Sequence, residues 1–145
     1  MIAWRASNAI VKLDKPTDIG KARILGYKDK KGFVIVRVRL KRGGHKRHRV
    51  NAARKSSKQT IRKSLKMNYR WIAEQRAAKK YTNLEVLNSY QIAKDGVHYF
   101  FEIILVDKER PEIRALMPWI TKPKNTGRVF RGLTGAGKKS RGLRS

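Results

Sequence analysis

The sequence predicts an α+β domain: a mainly antiparallel sheet of about four strands, one main helix packed on it, and extended basic segments attached to that body. Three observations predict it. Apolar residues alternate at period two around 33–40 and 84–92, helical periodicity occupies 68–81, and the cations concentrate in two segments that hold no acid at all. A single domain over 1–145 follows, with a compact body at about 20–40 and 68–116, a basic loop at 41–67 and a basic tail at 117–145.

Taken in chain order, residues 22–27 read as a short strand. They lead through Lys28-Asp29-Lys30-Lys31-Gly32, a turn whose glycine can supply positive φ, into a second strand. In that strand Val34, Val36, Val38 and Leu40 share one side, while Arg37 and Arg39 share the other, so one face is buried and the other cationic. The two make a first hairpin. The helix begins after Asn68, a good N-cap, and runs to about Tyr81. Trp71, Ala73, Ala77, Ala78 and Tyr81 fall on one arc that suits packing on a sheet. Glu74 lies on the same arc, and since an ionised carboxylate is costly in an apolar contact, it is expected at the margin beside a cation. Leu84, Val86, Tyr90 and Ile92 alternate with Glu85, Ser89 and Gln91, and residues 97–106 are β-branched and aromatic on both faces. Asp95-Gly96 between them is a strong hairpin signal. Pro111 opens a short helical turn to Leu116.

Charge then separates body from arms. The chain of 145 residues holds 37 Lys and Arg against 10 Asp and Glu, a formal charge of +27. Small domains usually carry a magnitude of about 2–8, so this one needs a polyanion, and an ordinary metabolic enzyme is disfavoured. Residues 1–40 contribute ten basic and three acidic side chains, 41–70 twelve and none, 71–115 seven of each, and 116–145 eight and none. The balanced stretch is an ordinary fold; the acid-free stretches are the pattern of arms that stay unfolded until a polyanion orders them. With no cysteine there are no disulfides, thiol nucleophiles or Cys-ligated zinc, and no sign of an oxidising compartment. No apolar run is long enough for a membrane span, and the first dozen residues lack the apolar centre of a signal peptide, so the cytosol is the expected location.

The candidate binding residues follow from this distribution. Arg37 and Arg39 form the basic sheet face. Lys41, Arg42, Gly43, Gly44, His45, Lys46, Arg47, His48 and Arg49 open the loop, and Arg54, Lys55, Lys58, Arg62, Lys63 and Lys66 continue it. Arginine grips phosphate oxygens in bidentate fashion, lysine acts as a point charge, and glycine lets backbone approach closely. Arg128, Arg131, Gly132, Lys138, Lys139 and Arg141 are the tail's candidates. A solvated charge run is the usual reading of a short cluster, but twelve cations without a counter-charge match the nucleic-acid footprint. About eight phosphate contacts would give a salt slope of roughly −6 to −7. The common DNA-reading modules are absent from the pattern, so RNA is favoured. Tyr69, Trp119 and Phe130 stand among cations where a base could stack, although packing on the body is the ordinary role of each.

Other chemistry finds little support. The string from Gly132 to Ser140 imitates a phosphate loop, but Lys139 occupies the position that needs a hydroxyl, and with five residues remaining there is no room for the helix that should follow; the glycines read as backbone freedom in a basic tail. His45 and His48 lack a third ligand of suitable type, so no metal is expected. His98 alternates with Phe100 and Glu102 on a strand, the setting of a structural histidine, and no nucleophile elbow supports a triad with Asp107. No catalytic residue and no cofactor is assigned.

Several strings occur together in a recognisable order. They are Leu25-Gly26-Tyr27-Lys28, Gly32-Phe33-Val34-Ile35-Val36-Arg37-Val38-Arg39 followed by Arg42-Gly43-Gly44, Ile72-Ala73-Glu74-Gln75-Arg76, the eight residues from Asn83 to Tyr90, the seven from Phe101 to Asp107, and the fourteen from Phe130 to Leu143. In this the chain resembles the L-fifteen-e family of large-subunit ribosomal proteins of archaea and eukaryotes, over roughly residue 10 to the end. The resemblance implies a non-enzymatic structural constituent of the large subunit, in the cytoplasm, with an α+β body, basic segments buried in ribosomal RNA, and neighbouring ribosomal proteins as partners. No homo-oligomer is expected. Its RNA-contacting segments match Arg42, Gly43, Gly44, Arg131, Gly132, Lys138, Lys139 and Arg141. Family members look longer at the N-terminus, with a helical arm ahead of the part that begins here near Trp4; the chain also departs in having Gln91 where the family often has Trp, and in matching over 50–68 only by being basic. From composition alone, the rival is a sequence-neutral architectural protein of nucleic acid outside the ribosome, which predicts the charge but not these strings.

Overall fold

A computed structural model describes residues 1–44 and 65–143. Among them, four strands form one antiparallel sheet in the order β1-β2-β4-β3: β1 Ile10–Leu13, β2 Phe33–Lys41, β3 Glu85–Lys94 and β4 His98–Val106. The α+β class and the antiparallel sheet are as the sequence predicts. β4 is central, and its residues from Phe100 to Val106 are all buried, which requires cover on both faces of the sheet.

One face packs on helix α3, Tyr69–Lys80. Val36, Val38, Leu40, Val86, Phe101, Ile103 and Leu105 meet Trp71, Ala73, Ala77 and Ala78. The alanines are what let the helix approach the sheet closely. Asn68 caps it, its Oδ1 accepting from the Trp71 N–H at 2.8 Å.

The opposite face holds Ile35, Tyr90 and Ile104 beneath Ala22 and Tyr27. Here the sequence reading needs correction, because 22–27 is not a strand. Residues Ile19–Ile24 form helix α2, started by Asp18, whose Oδ1 accepts from the Lys21 N–H at 3.0 Å. A six-residue helix with one buried residue, Ala22, gives no periodicity to recognise. The neighbour of β2 is instead β1, paired from Ile10 opposite Val38 to Leu13 opposite Ile35, and too short for alternation to be read. The turn before β2 does use Gly32 at φ +98°.

β3 breaks its own alternation. Register shifts between Val86 and Asn88 and between Gln91 and Ala93 mark bulges. Because an extra residue reverses every later side chain, Val86 joins the α3-facing core while Tyr90 lies in the α2-facing one. Ser89 and Glu85, expected on the outside, are buried. The hairpin at Asp95 holds as predicted, with Asp95 Oδ1 accepting from the Val97 and His98 N–H groups at 2.7 and 2.5 Å.

The last third departs furthest from expectation. Residues 117–143 are not an extended tail: they continue α4, Pro111–Leu116, through α5, Pro118–Thr121, a 3-10 turn at Pro123–Asn125 and α6, Gly135–Ser140. Ile120, Val129 and Ala136 are buried, and Trp71 Nε1 donates to the Val129 carbonyl at 2.6 Å. Three apolar residues at irregular spacing give no pattern amid seven cations, so the stretch carries no sequence signal of its packing.

Glu74 is the pin that holds this segment. It is fully buried rather than marginal. Its Oε1 accepts from Ser89 Oγ of β3, and its Oε2 from Thr134 Oγ1, both at 2.5 Å. Burial pushes its carboxyl up from the usual carboxylate value, against the opposing pull of the two hydroxyls and of Arg70 and Arg128.

Candidate nucleic-acid interface

The basic loop leaves the body after β2 and returns before α3, and both ends are fastened. At the departure, the Arg42 N–H donates to the Val97 carbonyl at 2.7 Å, and its guanidinium lies 4.8 Å over the Tyr99 ring while donating to the Asp95 carbonyl. Tyr99 pairs with Tyr69 at 4.9 Å between centroids, and the Tyr69 hydroxyl donates to the Gly43 carbonyl at 3.0 Å. The first residue of α3 therefore holds the loop's outgoing strand.

At the return, α6 takes over. Ser140 Oγ donates to the Lys66 carbonyl and accepts from the Asn68 N–H, each at 3.1 Å, and Asn68 Nδ2 donates to the Ala136 carbonyl at 3.0 Å. Asn68 thus caps α3 and clasps α6 with the same amide. Beside Tyr69 and Asn68 lies an open depression of about 400 Å³, lined also by Arg70, Gln91, Tyr99, Phe101 and Lys139, with two cations and no carboxylate. Arg70 is oriented across it by Ser89 Oγ and Asn88 Oδ1, both at 2.7 Å.

The candidate residues divide by what they touch. Lys41, Gly43, Gly44, Lys66, Lys138 and Lys139 are exposed, and Arg42, Gly43, Lys66 and Lys139 are brought to the one fastened end. His45, Lys46, Arg47, His48, Arg49, Arg54, Lys55, Lys58, Arg62 and Lys63 lie outside the described residues. The sheet face expected to be cationic is covered. Helix α1, Ile2–Ala6, sits on it, with Trp4 4.6 Å beneath the Arg37 guanidinium and the Arg5 carbonyl accepting from Arg39. Burial lowers the Arg37 pKa, with Glu102 opposing.

Arg128 also faces inward. Its guanidinium donates to the carbonyls of Val86, Leu87 and Leu133 at 3.1, 3.3 and 3.2 Å. Arg131 is exposed but closes its own turn by donating to the carbonyls of Lys124 and Thr126, and Arg141 Nη1 lies 3.5 Å from those of Arg131 and Gly132.

The phosphate-loop imitation has a packing explanation. A Cβ on Gly137 would stand 2.6 Å from Gly132 Cα, and Gly132 is buried at φ +67° against Trp71. The two glycines touch backbone to backbone, while the hydroxyl of Thr134 is occupied by Glu74 and the Gly137 N–H. A short helix does begin inside the string, at Gly135. Their role is close approach, not the freedom of a loose tail.

Tyr99, Asn68, Ser140, Arg70 and Gln91 went unrecognised as parts of this end. Tyr99 stands opposite Leu40 across the β2–β4 pair, so its place beside Arg42 depends on strand register. Only Asn68 carried a signal, as a cap. Among the described residues no three His, Asp or Glu side chains gather to hold a metal, and no helix is long and apolar enough to cross a membrane.

A small basic α+β domain, with a cation-rich loop fastened at one end of its sheet and Glu74, Glu85 and Glu102 buried in the body, belongs to the class of proteins whose charge suits a polyanionic surface. The chain matches the family model described as Ribosomal L15 over residues 1–145. It is also similar to large ribosomal subunit protein eL15 of Thermoplasma volcanium, with 51% identity over 152 residues that cover 100% of this chain and 75% of that protein. The chain belongs to the Ribosomal L15 family and is a structural protein of the large ribosomal subunit.

Proposed function

We propose that this chain binds large-subunit ribosomal RNA through the fastened end of its sheet, where the basic loop at 41–67 and helix α6 meet, and that it stabilises the RNA's tertiary fold mainly by phosphate contacts. It works in the cytoplasmic ribosome, without a catalytic step or a cofactor, and its charge-balanced body meets neighbouring ribosomal proteins. The observation that carries the reading is the double clasp: Tyr69 holds Gly43 while Ser140 holds Lys66. Fixing the loop's two ends on rigid elements holds Arg42 and Lys66 at one end of the sheet, so less ordering entropy opposes binding there. Lys138 and Lys139, exposed on α6, add charge on a folded helix.

Removing both lysines tests this. Lys138→Ala with Lys139→Ala is expected to shrink the slope of log K against log salt by roughly 1.4 on single-stranded RNA, and to lower incorporation into large subunits while thermal unfolding stays as in the parent. An unchanged slope with normal incorporation would refute the role of α6. Finding the protein with bulk DNA and absent from large subunits would favour the architectural rival.

A further inference from the structure

A second depression, on the other side of α6 from Lys139 and distinct from the one beside Tyr69, carries an aromatic ring that packing does not consume. Trp119 is 42% exposed at the start of α5, and Ile24 beside the same groove is 86% exposed. The groove, about 470 Å³, is lined among others by Ile24, Leu25, Met117, Trp119, Arg128 and Lys138, with no carboxylate in its wall.

The indole is preorganised. The Arg128 guanidinium lies 4.9 Å from the ring centroid, and three backbone carbonyls fix that guanidinium in place. The Trp119 carbonyl accepts from Asn125 Nδ2, which ties the short helix to the 3-10 turn that follows. Arg128, with both of its Nη groups engaged by carbonyls, acts by holding the tryptophan.

We infer that this groove takes a single unpaired RNA base, stacked on Trp119, with the adjoining phosphate at Lys138. The inference rests on the RNA-binding reading above and deepens it by assigning a base contact where the loop supplies phosphate contacts. A base has a flat π face and drags an anion with it. The groove offers the matching set: an exposed indole, an aliphatic wall from Ile24, Leu25 and Met117, and a cation at the rim. An apolar side chain of a neighbouring protein would fill the wall but leave Lys138 without a counter-charge, and charge complementarity therefore favours the nucleotide.

The test compares the full chain's binding to a twelve-nucleotide oligoadenylate and to an abasic oligomer of equal length and charge. One stacked base predicts that Trp119→Ala loses about tenfold of the preference for oligoadenylate while affinity for the abasic chain stays put. Trp119→Phe should keep most of the preference, because a phenyl ring still stacks. An identical preference in parent and Trp119→Ala overturns the inference, as does an equal loss of affinity for both oligomers. Loss of one neighbouring protein from assembled subunits of Trp119→Ala, with the base preference intact, assigns the groove to a protein and overturns it too. Failure of the parent to bind either oligomer would instead sink the RNA-binding reading beneath it, a distinguishable result.

Discussion

Replacing Gly137 by alanine sets two effects of known size against each other. Alanine is the better helix former by about 1 kcal/mol, and Gly137 lies in α6. Against that, the new Cβ would stand 2.6, 2.8 and 3.0 Å from Gly132 Cα, C and O, all backbone atoms. Carbon atoms rest at about 3.5–4.0 Å, so α6 must retreat by about 1 Å. Gly132 cannot give way, because it is held at φ +67° with Trp71 behind it. Overpacking of this kind costs about 1–3 kcal/mol. A retreat of that size also stretches the 2.5 Å bond from Thr134 to Glu74, and weakening a hydrogen bond to a buried acceptor adds about 1–2 kcal/mol. The net expectation is a loss of about 1–4 kcal/mol, or roughly 3–14 °C in Tm for a chain of this size. Thermal unfolding followed by circular dichroism would measure it. Gly96→Ala is the control, since a Cβ there meets nothing within 4 Å, and it should stay within about 0.5 kcal/mol of the parent. If Gly137→Ala melts within a degree or two of Gly96→Ala, the glycine contact does not hold the C-terminal segment.

Three further outcomes are expected. Because burial raises the Glu74 pKa, the folded chain binds that proton more tightly than the unfolded one. The stabilisation is complete below the unfolded value and fades as pH rises to the folded pKa. The stability of Glu74→Gln relative to the parent should therefore climb through that window and then level off in urea titrations at stepped pH; parallel curves would contradict the shift. Asn68→Ala removes the α3 cap and the bond to Ala136, and should cost about 1–2 kcal/mol in Tm-derived stability, with faster amide exchange in α6. Tyr69→Phe keeps the ring pair with Tyr99 but frees the Gly43 carbonyl; global stability should fall by at most about 1 kcal/mol, while amide exchange around Gly43 and Gly44 accelerates several-fold.

What the sequence disclosed depended on how local its cause was. Asn68 caps the helix, Pro111 opens α4 and Asp95 makes the hairpin, each through neighbours a few residues away, and the alternation of Val36 and Val38 marks the face they turn to the core. β1 escaped notice because four residues show no period. In β3 the bulges reversed the side chains after Val86, so alternation that looked regular in the chain is not regular in space. The candidate site was half legible. Composition marked its cations, but Arg37, Arg39 and Arg128 turned inward through contacts with Trp4, Arg5 and distant carbonyls that no spacing reveals. The C-terminal segment docks through one buried carboxylate and two touching glycines, features that resemble a charged margin and a loose tail until the chain is folded.

The clasp on the loop's return also sets an order in time. Ser140 lies 74 residues beyond the Lys66 carbonyl that it holds. At synthesis rates of about 5–20 residues per second, roughly 4–15 s pass between the appearance of one and the other. For that interval the most cationic stretch of the nascent chain is complete yet fastened only at its outgoing end. A chain cut just before Ser140 would therefore keep the basic loop and the Tyr69 hold on Gly43, yet lose the clasp on the loop's return.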